Sequence, residues 1–224
     1  MKTGLVIAIE RELRAFLEQG EGIEEITVSN RTVYKTEMYG KEIYAIRSGY
    51  GLIDASAATQ ILISVFGCDT ILNFGVTGAL ERGLKVDDLF LVEKTVHHEY
   101  DVSPIDPVKE HQYEEFPDEF IPLDAELFAK AMKIMPELKP AVDASGNRFV
   151  YKPEDKEYLN SLGCNICDME IAAIARTSRI CGAKCLSVKC ISDTYDGDGG
   201  DFNANVIASA QKAFAVLAQI IKEL

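Results

Sequence analysis

The chain has 224 residues, of which 47% are hydrophobic and 26% are charged. This length and composition are ordinary for one globular domain with a sizeable core, so we predict a single domain over residues 1–224. The formal net charge is −13 and no basic cluster occurs, which argues against nucleic acid and against anionic membrane surfaces as partners.

Two stretches of the chain bear on membrane insertion and export. The longest apolar runs, Gly4–Ile9 and Ala213–Ile221, are far shorter than the ~20 residues that a membrane-spanning helix needs. The N-terminal sequence MKTGLVIAIERE turns acidic and lacks the small-residue cleavage site of a signal peptide. We therefore expect a cytoplasmic protein.

Continuous apolar segments alternate with segments of helical periodicity along the chain. This alternation is typical of βαβ units around a sheet that helices cover on both faces, so we predict an α/β fold. The predicted strands are Thr3–Ile9, Val33–Tyr39, Glu42–Ser48, Thr70–Phe74, Asp88–His97, Ala141–Phe149, Asn165–Asp168 and Lys184–Ile191. The predicted helices are Glu10–Gln19, Ile53–Phe66, Ala125–Met135, Glu154–Ser161, Ile171–Cys181 and Asn203–Leu224.

The segment Ser103–Pro122 has no clear period, several prolines and many acidic residues, which predicts a long loop. Long loops in compact domains often form lids or contacts with another subunit. A flexible surface excursion is the other interpretation of this segment.

Five of the six cysteines fall between Cys164 and Cys190. A zinc site would combine the Cys164-x-x-Cys167 motif with Cys181 and Cys185. Several of these thiols lie in strand-like runs, whose alternate residues face opposite ways, so they cannot all reach one ion. A redox dithiol at Cys164 and Cys167 lacks a helix N-terminus directly after it to stabilise a thiolate. We therefore predict no metal site, and free thiols that pack as small hydrophobic groups.

Acids, glycines and one aromatic residue gather where predicted strands end. In an open α/β sheet, ligands bind at the carboxyl ends of the strands, where loops and helix starts converge. The segments at such ends are Glu10 and Glu12, Ser48–Gly51, Gly75–Gly78, Arg148–Val150, Asp168 with Glu170, and Ser192–Asp193. Each segment alone is compatible with a helix cap or a turn. Together they predict a binding or catalytic site at one edge of the sheet.

Two short glycine pairs, Gly49 with Gly51 and Gly75 with Gly78, precede segments that we expect to be helical. Neither pair fits a Walker loop or the G-x-G-x-x-G dinucleotide fingerprint. In each pair, glycine either allows a ligand to approach the backbone closely or forms a tight turn.

Seven motifs follow one another along nearly the whole chain. They are GLVIAIERE at Gly4–Glu12, SGYGLIDAS at Ser48–Ser56, NFGVTGAL at Asn73–Leu80, HHEYDVS at His97–Ser103, SGNRFV at Ser145–Val150, CDMEIAAIA at Cys167–Ala175 and VKCISDTYDGD at Val188–Asp198. In order and spacing the set resembles the nucleoside phosphorylase and nucleosidase superfamily, specifically the 5′-methylthioadenosine/S-adenosylhomocysteine nucleosidases. The resemblance implies a three-layer α-β-α sandwich with a central twisted mixed sheet.

The resemblance also implies hydrolysis of the N-glycosidic bond between adenine and a 5′-thio-substituted ribose, without metal or cofactor. Bond breaking builds positive charge on the ribose and negative charge on the purine, so the site needs an acid beside the base and acceptors beside the sugar. Asp193 matches the acid at purine N7, Glu12 the base that activates water, and Glu170 the carboxylate that binds the ribose hydroxyls. A dry pocket must raise the pKa of Asp193, whose ordinary value is ~3.9.

The same resemblance surrounds the substrate with further side chains. Phe149 matches the aromatic residue that stacks on adenine. Met169 would lie under the sugar, where its thioether tolerates an irregular contact, or would pack in the core. The remaining predicted contacts are Val150, which would read the purine edge through its backbone, Ile9, Tyr50 and Phe202, which would line the ribose and alkylthio positions, and Thr77, Gly78 and Ser192.

In the family, the loop that matches Val102 and its successors reaches into the pocket of the neighbouring subunit. The resemblance therefore implies a homodimer in which the Val102–Pro122 region contributes to the partner's site, and it gives the long loop a purpose.

Four positions depart from the family pattern. Val76 stands where a serine or threonine is usual, and Thr77 beside it would point elsewhere. Asn147 and Arg148 replace an acid and a small residue. Lys189 replaces an arginine, which keeps the charge but loses the bidentate fork, so the geometry that holds water is affected.

Two other functions are compatible with the motifs. A phosphorylase would use phosphate in place of water and would need arginines or hydroxyls around a dianion, for which Arg47 and Arg148 are the candidates. Glu12 would repel that dianion, which favours hydrolysis. A purine-binding module without catalysis is the third interpretation, and the departures at Val76 and Lys189 favour it. The presence of Glu12, Glu170 and Asp193 argues against it, because three carboxylates in one pocket cost stability unless they serve a function.

Overall fold

A computed structural model describes residues 2–197 and 199–224. Met1 and Asp198, the last residue of the seventh motif, lie outside the described residues. The strands are β1 Lys2–Ile7, β2 Glu24–Val28, β3 Arg31–Met38, β4 Lys41–Arg47, β5 Thr70–Ala79, β6 Leu89–His97, β7 Phe120–Pro122, β8 Lys139–Ser145, β9 Ile166–Asp168 and β10 Lys184–Asp193. The helices are α1 Glu10–Leu17, α2 Leu52–Phe66, α3 Ala125–Ile134, α4 Pro153–Ser161, α5 Ile171–Ile180 and α6 Gly199–Glu223.

All the strands join one mixed sheet, in the order β10-β6-β8-β9-β5-β1-β4-β3-β2, with β7 paired to β6. Strand β5 also pairs with β10 in parallel, so the strands β5, β10, β6, β8 and β9 close into a ring. From β5 the sheet extends through parallel β1 and β4 to the antiparallel strands β3 and β2. The ring and the extension therefore share β5.

Helices cover both faces of the sheet. Alternate residues of β1 enter different cores: Leu5 packs with α1, α3 and α6, whereas Val6 packs with α2 and α5. In the first core the ring of Phe214 lies 5.8 Å from that of Phe16 and 4.9 Å from that of Phe74. The structure thus confirms the predicted α/β fold, a three-layer α-β-α sandwich around a mixed sheet.

Two predicted strands end more than two residues away from their observed ends. Strand β5 continues past Phe74 to Ala79, so Gly75–Gly78 lies in a strand and does not precede a helix. Pairing with β10 through Gly78 and with β9 at Ala79 sustains β5 beyond its apolar run. Strand β8 ends at Ser145, where its partner strands also end, so Arg148–Val150 lies in a loop.

Two strands were not predicted. Strand β2 lies at the sheet edge, where exposed residues interrupt the apolar alternation that marks a strand in sequence. Strand β7 has 3 residues and closes the long Ser103–Pro122 segment, whose remainder consists of turns and bends.

Helix α6 has 25 residues and is long and apolar enough, by length and composition, to cross a membrane. This corrects the expectation from the short run Ala213–Ile221. More than half of its most apolar window, 56%, is buried inside the protein, where α6 packs on β10, β5 and α1. A core helix passes the same test of length and composition, and the packing makes α6 a core helix.

All six cysteines are free, and five are buried. Cys185 and Cys190 of β10 belong to the cores on opposite faces of the sheet, as their spacing requires. In residues 2–197 and 199–224, no group of three or more His, Cys, Asp or Glu side chains could hold a metal ion.

Candidate active site

A cavity that opens to solvent lies where β1, β5, β9 and β10 end, with about 570 Å³ of empty space when the solvent at its mouth is included. All the predicted site residues line it: Ile9, Glu12, Tyr50, Thr77, Gly78, Phe149, Val150, Met169, Glu170, Ser192, Asp193 and Phe202. Ala8, Val76, Arg148, Cys167 and Asp168 complete the lining. The roles assigned to the individual residues stay predictions.

Glu12 projects from the first turn of α1 and is buried. Its Oε1 accepts a hydrogen bond from the backbone N–H of Val76 at 2.9 Å, and its Oε2 accepts one from the N–H of Ile9 at 3.2 Å. Burial raises the pKa of Glu12, while the Lys189 ammonium and these N–H groups act in the opposite direction. The departure at Val76 removes a hydroxyl, but the backbone there still holds the carboxylate.

The glycines of β5 make room for carboxylates. A Cβ added to Gly75 would lie 2.5 Å from Glu12 Oε1, and one added to Gly78 would lie 2.9 Å from Asp193 Oδ2. Neither glycine has a positive φ, so turn geometry does not require them. The tight-turn interpretation of this glycine pair is therefore wrong. The groups that approach the backbone here are acidic side chains of the protein, and close approach by a ligand stays a prediction.

Asp193 is the last residue of β10 and is buried beside the cavity. The hydroxyl of Ser192 donates to its Oδ1 at 2.9 Å. Burial raises the pKa of Asp193 to about 6, against the opposing effects of the Ser192 hydroxyl and of the Lys156 charge. A carboxyl with this pKa can hold and release a proton near neutral pH.

Asp168 ends β9 and forms a buried ion pair with Lys189, whose Nζ lies 2.7 Å from Oδ2. Its Oδ1 also accepts the backbone N–H groups of Glu170 and Ile171, both at 3.2 Å. Burial alone would raise the pKa of Asp168, but the Lys189 charge and the hydrogen bonds outweigh it and lower the pKa. Asp168 is therefore an ionised carboxylate that caps the start of α5.

Glu170 lies at the start of α5, two residues further on, and its environment is different. Its Oε1 accepts the N–H of Gly51 at 2.9 Å, which ties the SGYG segment to the cavity. Burial raises the pKa of Glu170 to about 8, and repulsion from the Asp168 carboxylate adds to this effect. Glu170 thus lines the cavity with a carboxyl group whose pKa is raised.

Asp143 of β8 lies behind this pair, fully buried. Its Oδ2 accepts a hydrogen bond from the Thr95 hydroxyl at 3.0 Å. Burial raises the pKa of Asp143 well above its usual value, and the negative charge of Asp168 raises it further. These effects, together with a side-chain hydrogen bond between Asp143 and Asp168, favour the protonated form of Asp143.

Aromatic side chains form one wall of the cavity. The rings of Phe149 and Phe202 meet edge to face, with centroids 5.6 Å apart and planes at 72°. Both rings lie on segments outside the sheet, Phe149 in the loop after β8 and Phe202 in the first turns of α6. Tyr50, between Gly49 and Gly51, lines the cavity but is mostly exposed.

Two of the candidate groups at the strand ends lie elsewhere. Glu10 and Arg47 are both half-exposed and pair with each other at 3.6 Å, and neither lines the cavity. Arg148 does line the cavity, and its guanidinium is bound to Asp155 at 3.2 Å and lies 3.8 Å from Glu99.

The sequence did not reveal the partner of Lys189 or the contribution of Asp143. The sequence of an apolar strand does not indicate which acidic side chain pairs with a buried lysine. The one available signal was the position of Asp168 in the strand-end motif that also contains Glu170.

A family model described as the phosphorylase superfamily matches residues 2–224. An aminodeoxyfutalosine nucleosidase of Helicobacter pylori (strain J99) is 32% identical over 100% of this chain and 99% of its own length. A 5′-methylthioadenosine/S-adenosylhomocysteine nucleosidase of Shewanella halifaxensis is 28% identical, with 100% of both chains covered.

A crystal structure of a mutant of the Helicobacter pylori methylthioadenosine nucleosidase, with 5′-methylthioadenosine in its active site, superposes with a TM-score of 0.93. It is 31% identical in sequence, and the match covers 100% of this chain and 99% of that one. Sequence and fold agree over the full length, and the chain therefore belongs to the phosphorylase superfamily.

Proposed function

We propose that this protein hydrolyses the N-glycosidic bond of adenine nucleosides such as 5′-methylthioadenosine and S-adenosylhomocysteine, releasing adenine and the 5-thio-substituted ribose. The observation that carries the proposal is that Glu12, Glu170 and Asp193 are all buried and line one cavity. Of the relatives named above, one is an aminodeoxyfutalosine nucleosidase and the other a 5′-methylthioadenosine/S-adenosylhomocysteine nucleosidase.

Asp193 supplies the proton in this reaction. As the bond from C1′ to N9 breaks, its electron pair moves onto the purine, and the Asp193 carboxyl gives its proton to N7. The pKa of about 6 allows Asp193 to be protonated in part of the population near neutral pH and still to be a strong enough acid. Phe149 lines the same cavity as this acid, and a purine bound there can stack on its ring.

Glu12 activates the water. Its two oxygens are fixed by the N–H groups of Val76 and Ile9, so the carboxylate has a defined direction when it takes a proton from water. Burial raises its pKa toward neutrality, which makes it a better base than an exposed glutamate. The hydroxide equivalent then bonds to C1′.

Glu170 binds the ribose hydroxyls. Its ionisation is costly because the side chain is buried and because Asp168 repels it, and the Lys189 charge and the Gly51 N–H only partly offset these effects. A ribose that develops positive charge reduces this cost, so the interaction strengthens as the glycosidic bond breaks. Glu170 therefore favours the transition state over the bound substrate.

Water is a better nucleophile for this cavity than phosphate. A phosphate dianion would meet the carboxylates of Glu12 and Asp168, which also line the cavity. Among the lining residues the cationic side chain is Arg148, and it is bound to Asp155. The Lys189 ammonium is engaged by Asp168 at 2.7 Å.

The test is release of free base from a nucleoside panel, with and without phosphate. The panel contains 5′-methylthioadenosine, S-adenosylhomocysteine, deoxyadenosine, adenosine and aminodeoxyfutalosine. We expect adenine from the 5′-thio nucleosides in phosphate-free buffer. A strict phosphate requirement would establish a phosphorylase, and binding of adenine without any release would establish a non-catalytic module.

We further propose a homodimer in which the Val102–Pro122 region contributes to the partner's pocket, as the family resemblance implies. Large apolar side chains on α2, α5 and this segment support it: Ile53 is 84%, Ile180 69% and Ile105 82% exposed. Light scattering after gel filtration should give twice the mass of one chain, and Ile53→Asp should shift it toward the monomer. A monomeric wild-type protein would refute this proposal.

A further inference from the structure

Lys156 of α4 is a fully buried lysine, with 0% of its surface exposed, and the reaction described above assigns it no role. Its ammonium donates to three backbone carbonyls, those of Thr194 at 2.9 Å, Tyr195 at 2.9 Å and Gly197 at 3.4 Å. A buried cation is costly unless its donors are satisfied, and these contacts use all three. The three carbonyls therefore form a specific binding site for the Lys156 ammonium.

The three carbonyls belong to the turn that directly follows Asp193 and joins β10 to α6. The N–H of Gly197 closes this turn on the carbonyl of Thr194 at 3.0 Å. The turn is closely packed, since a Cβ on Gly197 would lie 3.1 Å from the backbone nitrogen of Thr194. Lys156 thus links α4 to the turn that follows Asp193, and this turn helps to position the Asp193 carboxyl.

The charge of Lys156 also acts on the Asp193 carboxyl. Four groups face that carboxyl from different elements: the Ser192 hydroxyl on β10, the Cys167 thiol on β9, the Asp201 carboxylate on α6 and the Lys156 ammonium on α4. Burial raises the pKa of Asp193 most, Asp201 adds to that rise, and Ser192 and Lys156 oppose it. Lys156 is the cation of this group.

We propose that Lys156 is a positioning residue for glycosidic bond cleavage: its ammonium fixes the turn that orients the Asp193 carboxyl, and its charge stabilises the carboxylate that remains after proton transfer. In that step the O–H bond of Asp193 breaks and an N7–H bond forms on the purine. The C1′–N9 electron pair goes to the base, and water gives its oxygen to C1′ and a proton to Glu12. The proposal rests on the proposed function.

Three variants separate the two effects. Lys156→Met removes the charge and the donors, Lys156→Gln removes the charge but keeps a donor, and Lys156→Arg keeps the charge. Lys152→Met is the matched control, because Lys152 is an exposed lysine one turn earlier, at the start of α4. The measurements are kcat and KM for 5′-methylthioadenosine across pH, and the ¹³C chemical shift of the Asp193 carboxyl across the same pH range.

For Lys156→Met we expect kcat to fall about 10- to 100-fold, because small displacements of a catalytic group have effects of this size. We expect the pKa of Asp193 to rise by about half a unit to one unit in Lys156→Met and Lys156→Gln, and the alkaline limb of kcat to move with it. Lys156→Arg should keep the wild-type pKa, and Lys152→Met should match the wild type throughout.

An unchanged kcat in Lys156→Met would overturn the proposal, and so would a lower kcat with the pKa of Asp193 unmoved in both uncharged variants. If Lys156→Met does not fold, the titrations of Lys156→Gln and Lys156→Arg decide the matter. A wild-type protein that releases no base from any nucleoside refutes the proposed function itself. The carboxyl titration, which needs no turnover, then tests the electrostatic link between Lys156 and Asp193 separately.

Discussion

Gly75 of β5 offers a direct test of where Glu12 lies, because a methyl group there would collide with the carboxylate. In Gly75→Ala the new Cβ would lie 2.5 Å from Oε1 and 3.1 Å from Cδ of Glu12. Ordinary contacts begin at 3.4 Å, so the carboxylate must move away from the β5 backbone by roughly 0.9 Å. That movement breaks the 2.9 Å hydrogen bond from the Val76 N–H.

A displacement of this size should lower kcat for 5′-methylthioadenosine about 100-fold. The lost hydrogen bond to a buried acid should reduce the free energy of unfolding by about 1–3 kcal/mol. Steady-state kinetics and urea unfolding measure the two effects. Gly199→Ala is the control, since a Cβ there meets nothing within 4 Å and the position begins a helix. A Gly75→Ala enzyme with kcat within threefold of the wild type would refute the placement of Glu12 as the base.

Three further changes test other parts of the site. Asp193→Asn removes the proton donor and should lower kcat by ~10² to 10⁴, and near-normal adenine release would refute the role of Asp193. Phe149→Ala should mainly raise KM, since stacking of a base on an aromatic ring contributes about 1–3 kcal/mol, and a large loss of kcat at unchanged KM would contradict stacking. Asp143→Asn should stabilise the fold, and more so at pH 8 than at pH 5. The pKa of Asp143 is raised on folding. As the pH rises from the unfolded to the folded pKa, the free energy of unfolding of the wild type therefore falls by about 1.4 kcal/mol for each pH unit. Asparagine does not titrate, and its amide can still donate a hydrogen bond to Asp168. Urea unfolding at both pH values checks this, and an equal difference at the two would show that Asp143 is not shifted.

The site residues could be located from sequence because topology determines where strand ends meet. Glu12 follows β1, and Asp193 ends β10. Both strands run parallel to β5, so their carboxyl ends converge whatever the details of the packing. A strand assignment with errors of a few residues is enough for such an inference, and this is why the misplaced ends of β5 and β8 did not misplace the cavity.

The sequence could not reveal interactions that depend on long-range pairing. Lys156 occurs in PEDKEYLNS, a segment rich in polar residues that is typical of a solvated helix face, yet it is fully buried. Its partners, the carbonyls of Thr194–Gly197, are backbone groups that carry no sequence signal. Lys189 likewise meets Asp168 only because β10 and β9 both pair with β5. Composition and periodicity indicate which apolar side chains are buried. They do not indicate which groups pair with a buried charged side chain.

The two acids of the CDME motif, Asp168 and Glu170, have pKa values shifted in opposite directions, although the Lys189 ammonium acts on both. Asp168 takes the Lys189 ion pair and two N–H groups at the start of α5, and it is ionised. Glu170 keeps a single N–H, that of Gly51, and faces the charge of Asp168. An acid at a strand–helix junction can be a helix cap or a functional group, and the helix-cap interpretation holds for Asp168. In the proposed reaction the functional interpretation holds for Glu170, because the positive charge that develops on the ribose as the glycosidic bond breaks offsets the cost of ionising this buried carboxyl group.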